Sequence, residues 1–339
     1  MSKPRKTMAE LARLTGVNVS TVSRALNDSP LVKSETKAEI LRVADEIGYS
    51  VNVAARNLRR QSSSTIALVI PLKPGSGETI SDPFFLEMVG AVSMAASRRG
   101  YDLLLSTPQD ETAIAERRLL QTGRADGLII IGQAGREDRL KSIGEMESRI
   151  VVWGGLQKDT PYTLIGSDNR LGGHLATRHL LELGRKRILF IGDTSLPEIA
   201  LRFAGYRAAH EAASRAVDPA LHLRIGFGHQ VKEVVPQLGR MLESGQAVDG
   251  VFAASDALAI MAMEALRQNG LAVPQDVSVV GYDNIAQAAL AQPALTTISQ
   301  NISIGGELLV SALIDKLEGK TVASTLTPTE LIIRESCGG

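Results

Sequence analysis

Residues 7–27, TMAELARLTGVNVSTVSRALN, decide how this chain is to be read. Thr7 followed three residues later by Glu10 forms a capping box that marks the start of a helix. Met8, Leu11, Ala12 and Leu14 then place apolar side chains along one stripe. Gly16 suits a tight turn, and Asn18 is a good N-cap for a second helix over 19–26. Within that helix Val22, Ala25 and Leu26 can face inward while Ser20, Thr21, Ser23 and Arg24 stay polar. A short helix with such an outer face suits the DNA major groove. Hydroxyls reach phosphates or base edges, and an arginine can grip guanine with two hydrogen bonds. A third helix is expected over 34–47, with Ile40, Leu41, Ala44 and Ile47 at helical spacing and Gly48 ending it. Three helices within residues 1–50 make a minimal bundle.

The charge distribution agrees with this reading. The 339 residues have a formal net charge of zero. Residues 1–60, however, hold eleven Lys/Arg against six Asp/Glu, and the remainder holds 26 against 31. A basic head that meets a polyanion and a body that does not would show this asymmetry. The chain is long enough for two or three domains with ordinary cores. Its one cysteine, Cys337, allows no internal disulfide and no zinc cluster, which fits a reducing cytoplasm. No apolar segment follows the basic N-terminus, and no apolar run is long enough to cross a bilayer. A cytoplasmic protein without membrane contact is expected.

The runs GVNVSTVSRALN (16–27) and VKSETKAEILRVADEIGYSVNVAARNLR (32–59) resemble the DNA-binding head of the lactose/galactose repressor (LacI/GalR) family, and the resemblance continues through the body. It implies roles for matching positions. Val19, Ser20 and Arg24 fall where that family reads bases. Val19 has no side-chain hydrogen bond to offer and would meet a thymine methyl or simply pack. Asn18, Thr21, Ser23 and Asn27 fall where the family holds phosphates or positions the recognition helix, and Thr7, heading the first helix, joins this DNA-facing set. Residues 52–60, NVAARNLRR, are similar to the family's hinge, which becomes a short helix on operator DNA. Leu58 would be the wedge that opens a central base step in the minor groove, and Ala55 and Arg56 would line that groove or its phosphates. The implied domains are a helix-turn-helix head at 1–50, a hinge and linker at 51–62, and an effector-binding and dimerisation body at 63–339.

In the body the pattern changes to strand–helix alternation. Strands are expected at 66–71, 101–105, 127–131, 150–153, 188–191, 250–253 and 277–281. Most are short, continuous and rich in Ile, Leu and Val, as parallel strands covered on both faces should be. Amphipathic helices intervene, for example over 85–99. The alternation predicts doubly wound α/β layers. Ligands sit beyond the C-terminal strand ends of such sheets, so two facing lobes would hold one between them. The resemblance implies this architecture, that of periplasmic sugar-binding proteins. The N-lobe is expected at about 63–165 with 297–326, and the C-lobe at about 166–296 with 327–339, including a last strand at 331–334.

Cleft candidates come from strand-end loops. Asp82, in SDPFF, could bind a hydroxyl and Phe84 could pack on a ring, whereas Phe85 suits helix core. Arg202, in ALRFAGY, and Asp283, in VVGYDN, fall where the family binds ligand, and a planar guanidinium suits vicinal hydroxyls or a carboxylate. Asp256, in AASDALA, is either a ligand contact or a helix cap, and Ser255 stands where many relatives carry asparagine. Asp168, in GSDNRLGG, is equally suited to capping. Trp153, the single tryptophan, ends a strand in VVWGG and would serve as a sugar-stacking platform or as core.

Catalytic and metal motifs are lacking. Gly226-Phe227-Gly228 is a lone GxG, His174 and His179 are wrongly spaced for a zinc helix, and no P-loop, HExxH or GxSxG occurs. An α/β enzyme would need such a constellation, and a sugar-binding receptor without gene control would lack the basic head. The expectation is therefore a transcription regulator, a repressor of sugar-utilisation genes, needing no cofactor and no metal. It would bind a pseudo-palindromic operator as a homodimer, under control of a small-molecule effector, a sugar, held between the lobes.

Overall fold

The computed structural model describes residues 7–26, 29–49, 62–72, 79–108, 114–133, 137–156, 159–226 and 232–338. The chain divides into two compact units, Met1–Ser63 and Ser64–Gly339.

The first unit carries α1 (Met8–Thr15), α2 (Val19–Leu26) and α3 (Ser34–Glu46). Thr7 caps α1, accepting from the Glu10 amide at 3.2 Å. Gly16 ends the helix with φ 66°, a left-handed conformation that glycine adopts without a steric penalty. Leu11, Ala12, Val22, Ala25, Ile40, Val43 and Ala44 form the buried core of the three helices. Leu41, expected inside, is 45% exposed, and Val43 takes its place in the core.

The second unit contains two six-stranded sheets. The N-lobe sheet is built from β1 (Thr65–Val69), β2 (Asp102–Ser106), β3 (Gly127–Ile131), β4 (Ile150–Trp153), β5 (Thr163–Ser167) and β11 (Thr325–Thr327), in the order β11-β5-β4-β3-β1-β2. All its pairings are parallel. Alternate residues of β1 serve opposite faces, as a period of two requires. Ile66 and Leu68 pack with α4 (Pro83–Arg98) and α12 (Ile302–Leu317), and Ala67 and Val69 face α5 (Ile114–Gln121) and α6 (Glu137–Met146).

The C-lobe sheet has β6 (Ile188–Ile191), β7 (His222–Leu223), β8 (Gly250–Ala253), β9 (Ser278–Asp283), β10 (Thr296–Ser299) and β12 (Glu330–Ile332), in the order β12-β10-β9-β8-β6-β7. Only β12 runs antiparallel to its neighbour. Four principal helices accompany this sheet: α7 (Asn169–Glu182), α8 (Pro197–Ala212), α9 (Val234–Glu243) and α10 (Asp256–Gln268). A short α11 (Ala286–Leu290) follows β9.

The expected two-lobed α/β architecture is present, with corrections. Strands β5, β7, β10 and β11 add to the seven expected, and the last strand covers Glu330–Ile332 instead of 331–334. Strand β5 belongs wholly to the N-lobe sheet and β10 to the C-lobe sheet. The first crossing thus falls after Ser167, not after 165, and the second after Ser299, not at 297. Among the described residues no helix is long and apolar enough to cross a membrane.

Candidate functional site

Two regions collect the residues singled out above. In the head, Asn18 caps α2. Its side-chain oxygen accepts from the Thr21 amide at 2.7 Å, from the Thr21 hydroxyl at 2.8 Å and from the Ser20 hydroxyl at 2.6 Å. One acceptor thus locks the helix start and parks two hydroxyls beside it. Val22 and Ala25 anchor α2 to the core, which turns Val19, Ser20 and Arg24 to solvent and leaves Ser23 half-buried. Val19 is 46% exposed, an apolar group presented outward. Val19, Ser20, Ser23 and Arg24 share one face of α2, as their helical spacing dictates. Thr7 is exposed at the start of α1. Asn27, Ala55, Arg56 and Leu58 lie outside the described residues.

The second region is the cleft between the lobes, beyond the C-terminal strand ends of both sheets. Its cavity is small, about 110 Å³, and opens to solvent. The N-lobe supplies Asp82, Phe84, Ile131 and Trp153, and the C-lobe supplies Glu198, Arg202, Ser255 and Asp283. Trp153 is only 4% exposed. It is seated against the first turn of α12, where a Cβ on Gly305 would come within 2.5 Å of the indole ring, so only glycine leaves it room. Asp82 caps α4 by accepting from the Phe84 amide at 3.0 Å, and Ser255 caps α10 by accepting from the Leu258 amide at 3.3 Å.

Arg202 and Asp283 form the polar centre. Arg202 is 5% exposed, with its guanidinium carbon 3.6 Å from the Tyr282 ring centroid, a cation–π geometry. Its Nε donates to Asn169 Oδ1 at 2.8 Å, its Nη1 donates to the Ala254 carbonyl, and Asp283 Oδ1 lies 3.7 Å from Nη1. Gln300 Nε2 donates to the same Asp283 oxygen at 2.6 Å. Asp283 adopts φ 117°, a conformation costly for any residue with a Cβ and one that marks functional positions. Burial pushes the Asp283 carboxyl well above the usual range; Arg202 opposes the shift, and Asp256 and Asp82 reinforce it. A carboxyl so placed gains from any hydrogen-bond donor a ligand brings.

Asp256 departs from the expectation that it contacts ligand. It is fully buried behind the cleft, accepting from the Thr297 hydroxyl at 2.5 Å and the Ile285 amide at 2.9 Å. Those bonds tie α10 to β10 and to the loop after β9, and neither oxygen is left for the cleft surface. Asp168 caps α7, accepting from the Leu171 amide at 2.9 Å, and does not line the cleft.

Gln300 and Glu198 join the cleft without having been expected. Gln300 follows β10, a strand unread in the sequence, and sits at a crossing between lobes. Its Oε1 accepts from Ser167 Oγ at 2.7 Å and its carbonyl accepts from Thr327 Oγ1 at 2.8 Å. The three crossings are thus joined to one another and, through Nε2, to Asp283. Glu198 precedes Arg202 by one helical turn, a spacing that puts both on one face of α8. Its carboxylate accepts from the Gln133 amide of the N-lobe at 3.2 Å.

Comparison with known proteins gives a consistent picture. Residues 7–52 match the family model of bacterial regulatory proteins, lacI family, and residues 177–337 match that of the periplasmic binding protein-like domain. The chain is 32% identical to the HTH-type transcriptional regulator CelR of Thermobifida fusca, over 98% of each chain. Among solved structures, a transcriptional regulator CelR–cellobiose complex superposes with a TM-score of 0.70 at 30% identity, covering 98% of this chain and all of that one. The lac repressor dimer bound to operator and the anti-inducer ONPF superposes with a TM-score of 0.84 over 99% of each chain; at 24% identity this is a likeness of fold.

Proposed function

Because the chain belongs to the lacI family of bacterial regulatory proteins, we propose that it is a homodimeric repressor of sugar-utilisation genes whose operator affinity is set by a sugar held between the lobes of its body. Its identity as a sequence-specific DNA-binding regulator comes with the family; the effector, the dimer and the residue roles are the proposal. The observation that carries the effector reading is the buried Arg202–Asp283 centre beside the Trp153 indole, 5%, 7% and 4% exposed. Directional donors and acceptors next to a flat apolar wall suit a ring bearing hydroxyls. The CelR structure with cellobiose supports the same ligand class.

At the DNA, Arg24, Ser20 and Val19 are assigned to base edges, Asn18, Thr21 and Ser23 to phosphates and helix placement, with Thr7 and Asn27 beside them. Ala55, Arg56 and Leu58 are assigned to the minor groove. One head offers a single short helix, so two heads are needed to supply the base contacts of a pseudo-palindrome. Effector binding changes how the lobes close, which alters the spacing of the N-lobes in the dimer and hence of the two hinges. A coupling of about 1–3 kcal/mol is typical of such systems.

A thermal-shift screen of neutral sugars, with cellobiose included, tests the proposal, followed by operator binding with and without each hit. Asp283→Ala should bind operator normally and fail to respond to the hit. Unchanged affinity of Asp283→Ala for the sugar would rule the cleft assignment out.

A further inference from the structure

The C-lobe carries a second cavity of about 590 Å³, between the outer stripe of α8 and the stretch 215–224 that contains β7. Its chemistry is unlike that of the cleft. Three arginines, Arg207, Arg215 and Arg224, line it. Arg215 is held in place, its Nη1 donating to the Arg185 carbonyl at 3.0 Å, which leaves other N–H groups of the fork unspent. Arg207 and Arg224 are exposed and form no ion pair among the described residues. Of the two acids in the wall, Asp218 is engaged by Arg187 at 3.4 Å and by the Ala220 amide at 2.9 Å. Glu211 and Asp218 face three guanidinium groups in the lining, with Arg187 beside Asp218 as a fourth, so the cavity has a cationic surplus.

Its other wall is aromatic. Tyr206 stacks on Phe203 with centroids 5.5 Å apart and planes at 13°, and Phe203 stacks on His222 at 4.8 Å and 22°. Tyr206 is fully buried, whereas Phe203 and His222 reach the cavity. His222 is fixed by a 3.0 Å hydrogen bond between Nε2 and the Gly192 carbonyl.

We propose that this cavity is a second ligand site that takes a nucleoside monophosphate. Guanidinium forks match phosphate oxygens in bidentate fashion, and a planar base continues the stack on His222. The volume admits both parts at once. Helix α8 connects the two sites, because Glu198 and Arg202 line the cleft and Phe203 and Arg207 line the cavity. A nucleotide at one end therefore bears on the helix that places Arg202 at the other, and any effect on effector affinity is reciprocal.

Calorimetric titration of the full-length protein with AMP, GMP, CMP and UMP tests this, with adenosine and inorganic phosphate as controls. At least one nucleotide should bind, and both controls should bind at least about tenfold more weakly, the loss expected when charged hydrogen bonds or the stacked base are removed. Arg207→Ala and Arg224→Ala should each weaken the nucleotide about tenfold with the melting temperature unchanged, and Asp283→Ala should leave nucleotide binding intact. The proposal is overturned if none of the four binds at millimolar concentration, or if inorganic phosphate binds as tightly as the nucleotide. It is also overturned if binding survives both arginine variants and is lost in Asp283→Ala, which would place the nucleotide in the cleft. The sugar proposal stands or falls separately, on the response of Asp283→Ala to sugar.

Discussion

Replacement of Arg202 by alanine tests the polar centre most directly. The side chain is 5% exposed and has four neighbours to lose: Asn169, the Ala254 carbonyl, the Tyr282 ring and Asp283. Breaking a buried ion pair from one side typically costs about 3–5 kcal/mol, because the partner charge stays buried without compensation. Loss of the cation–π contact adds roughly 0.5–2 kcal/mol. Against this, burial already pushes the Asp283 carboxyl upward and Arg202 opposes the shift, so removing Arg202 favours the protonated form further and relieves part of the cost. The expected loss at neutral pH is therefore about 3–5 kcal/mol, shrinking as the pH is lowered. Urea unfolding followed by Trp153 fluorescence measures it, since the only tryptophan lies in the body. Arg202→Ala/Asp283→Asn should recover stability relative to Arg202→Ala alone, because the orphaned charge is gone. A loss below about 1 kcal/mol, the level of an exposed pair, or a double variant no more stable than the single one, would refute the reasoning.

Arg24→Ala should weaken specific operator binding by roughly 1–3 kcal/mol and leave sugar binding unchanged; equal loss on operator and random DNA would contradict a base-reading role. Gly305→Val should displace Trp153, shifting its emission and lowering sugar affinity, with an overpacking cost of about 1–3 kcal/mol; an unshifted spectrum would show that the indole is not seated there. Burial, the leading cause, pushes the Asp256 carboxyl up to about 7 in the folded protein, so the native state holds that proton more tightly than the unfolded chain does. The stability this group contributes is full in acid and is lost as pH rises through about 7. Asp256→Asn should remove that decline in melts recorded from acid to neutral pH; an unchanged pH profile would contradict the assignment.

The legible parts of the fold were those whose residues carry their own instruction. β3, β4, β6 and β8 have the bounds read from their runs of Ile, Leu and Val, because a strand covered on both faces must be apolar throughout. β5, β10 and β11 are rich in Thr and Ser, and their buried hydroxyls are satisfied by distant segments. Thr163 Oγ1 donates to the Val322 carbonyl and Thr297 Oγ1 to Asp256. No local pattern announces such partners, so the lobe boundaries beside these strands shifted with them. In the cleft, Arg202 and Asp283 sit in recognisable segments, whereas Gln300 follows one of the unread strands. For Asp256 the sequence allows ligand contact or capping alike, because a carboxylate after a strand end can do either or cross-link, and only its tertiary partners separate these uses.

The joined crossings have a consequence for how the chain can be made. Of the body, residues 64–167 leave the ribosome first, but the N-lobe sheet then ends at β5, whose outer edge is covered by β11 at Thr325–Thr327. The C-lobe sheet likewise waits for β12 at Glu330–Ile332, and beyond it Ser336 Oγ accepts from the Thr296 amide at 2.8 Å. Neither lobe is a contiguous product of vectorial synthesis. Both sheets are completed only by residues 325–332, so a stop within α12 or before Thr325 would expose an open sheet edge on each lobe at once. No single cut in the chain separates the lobes, because three crossings join them.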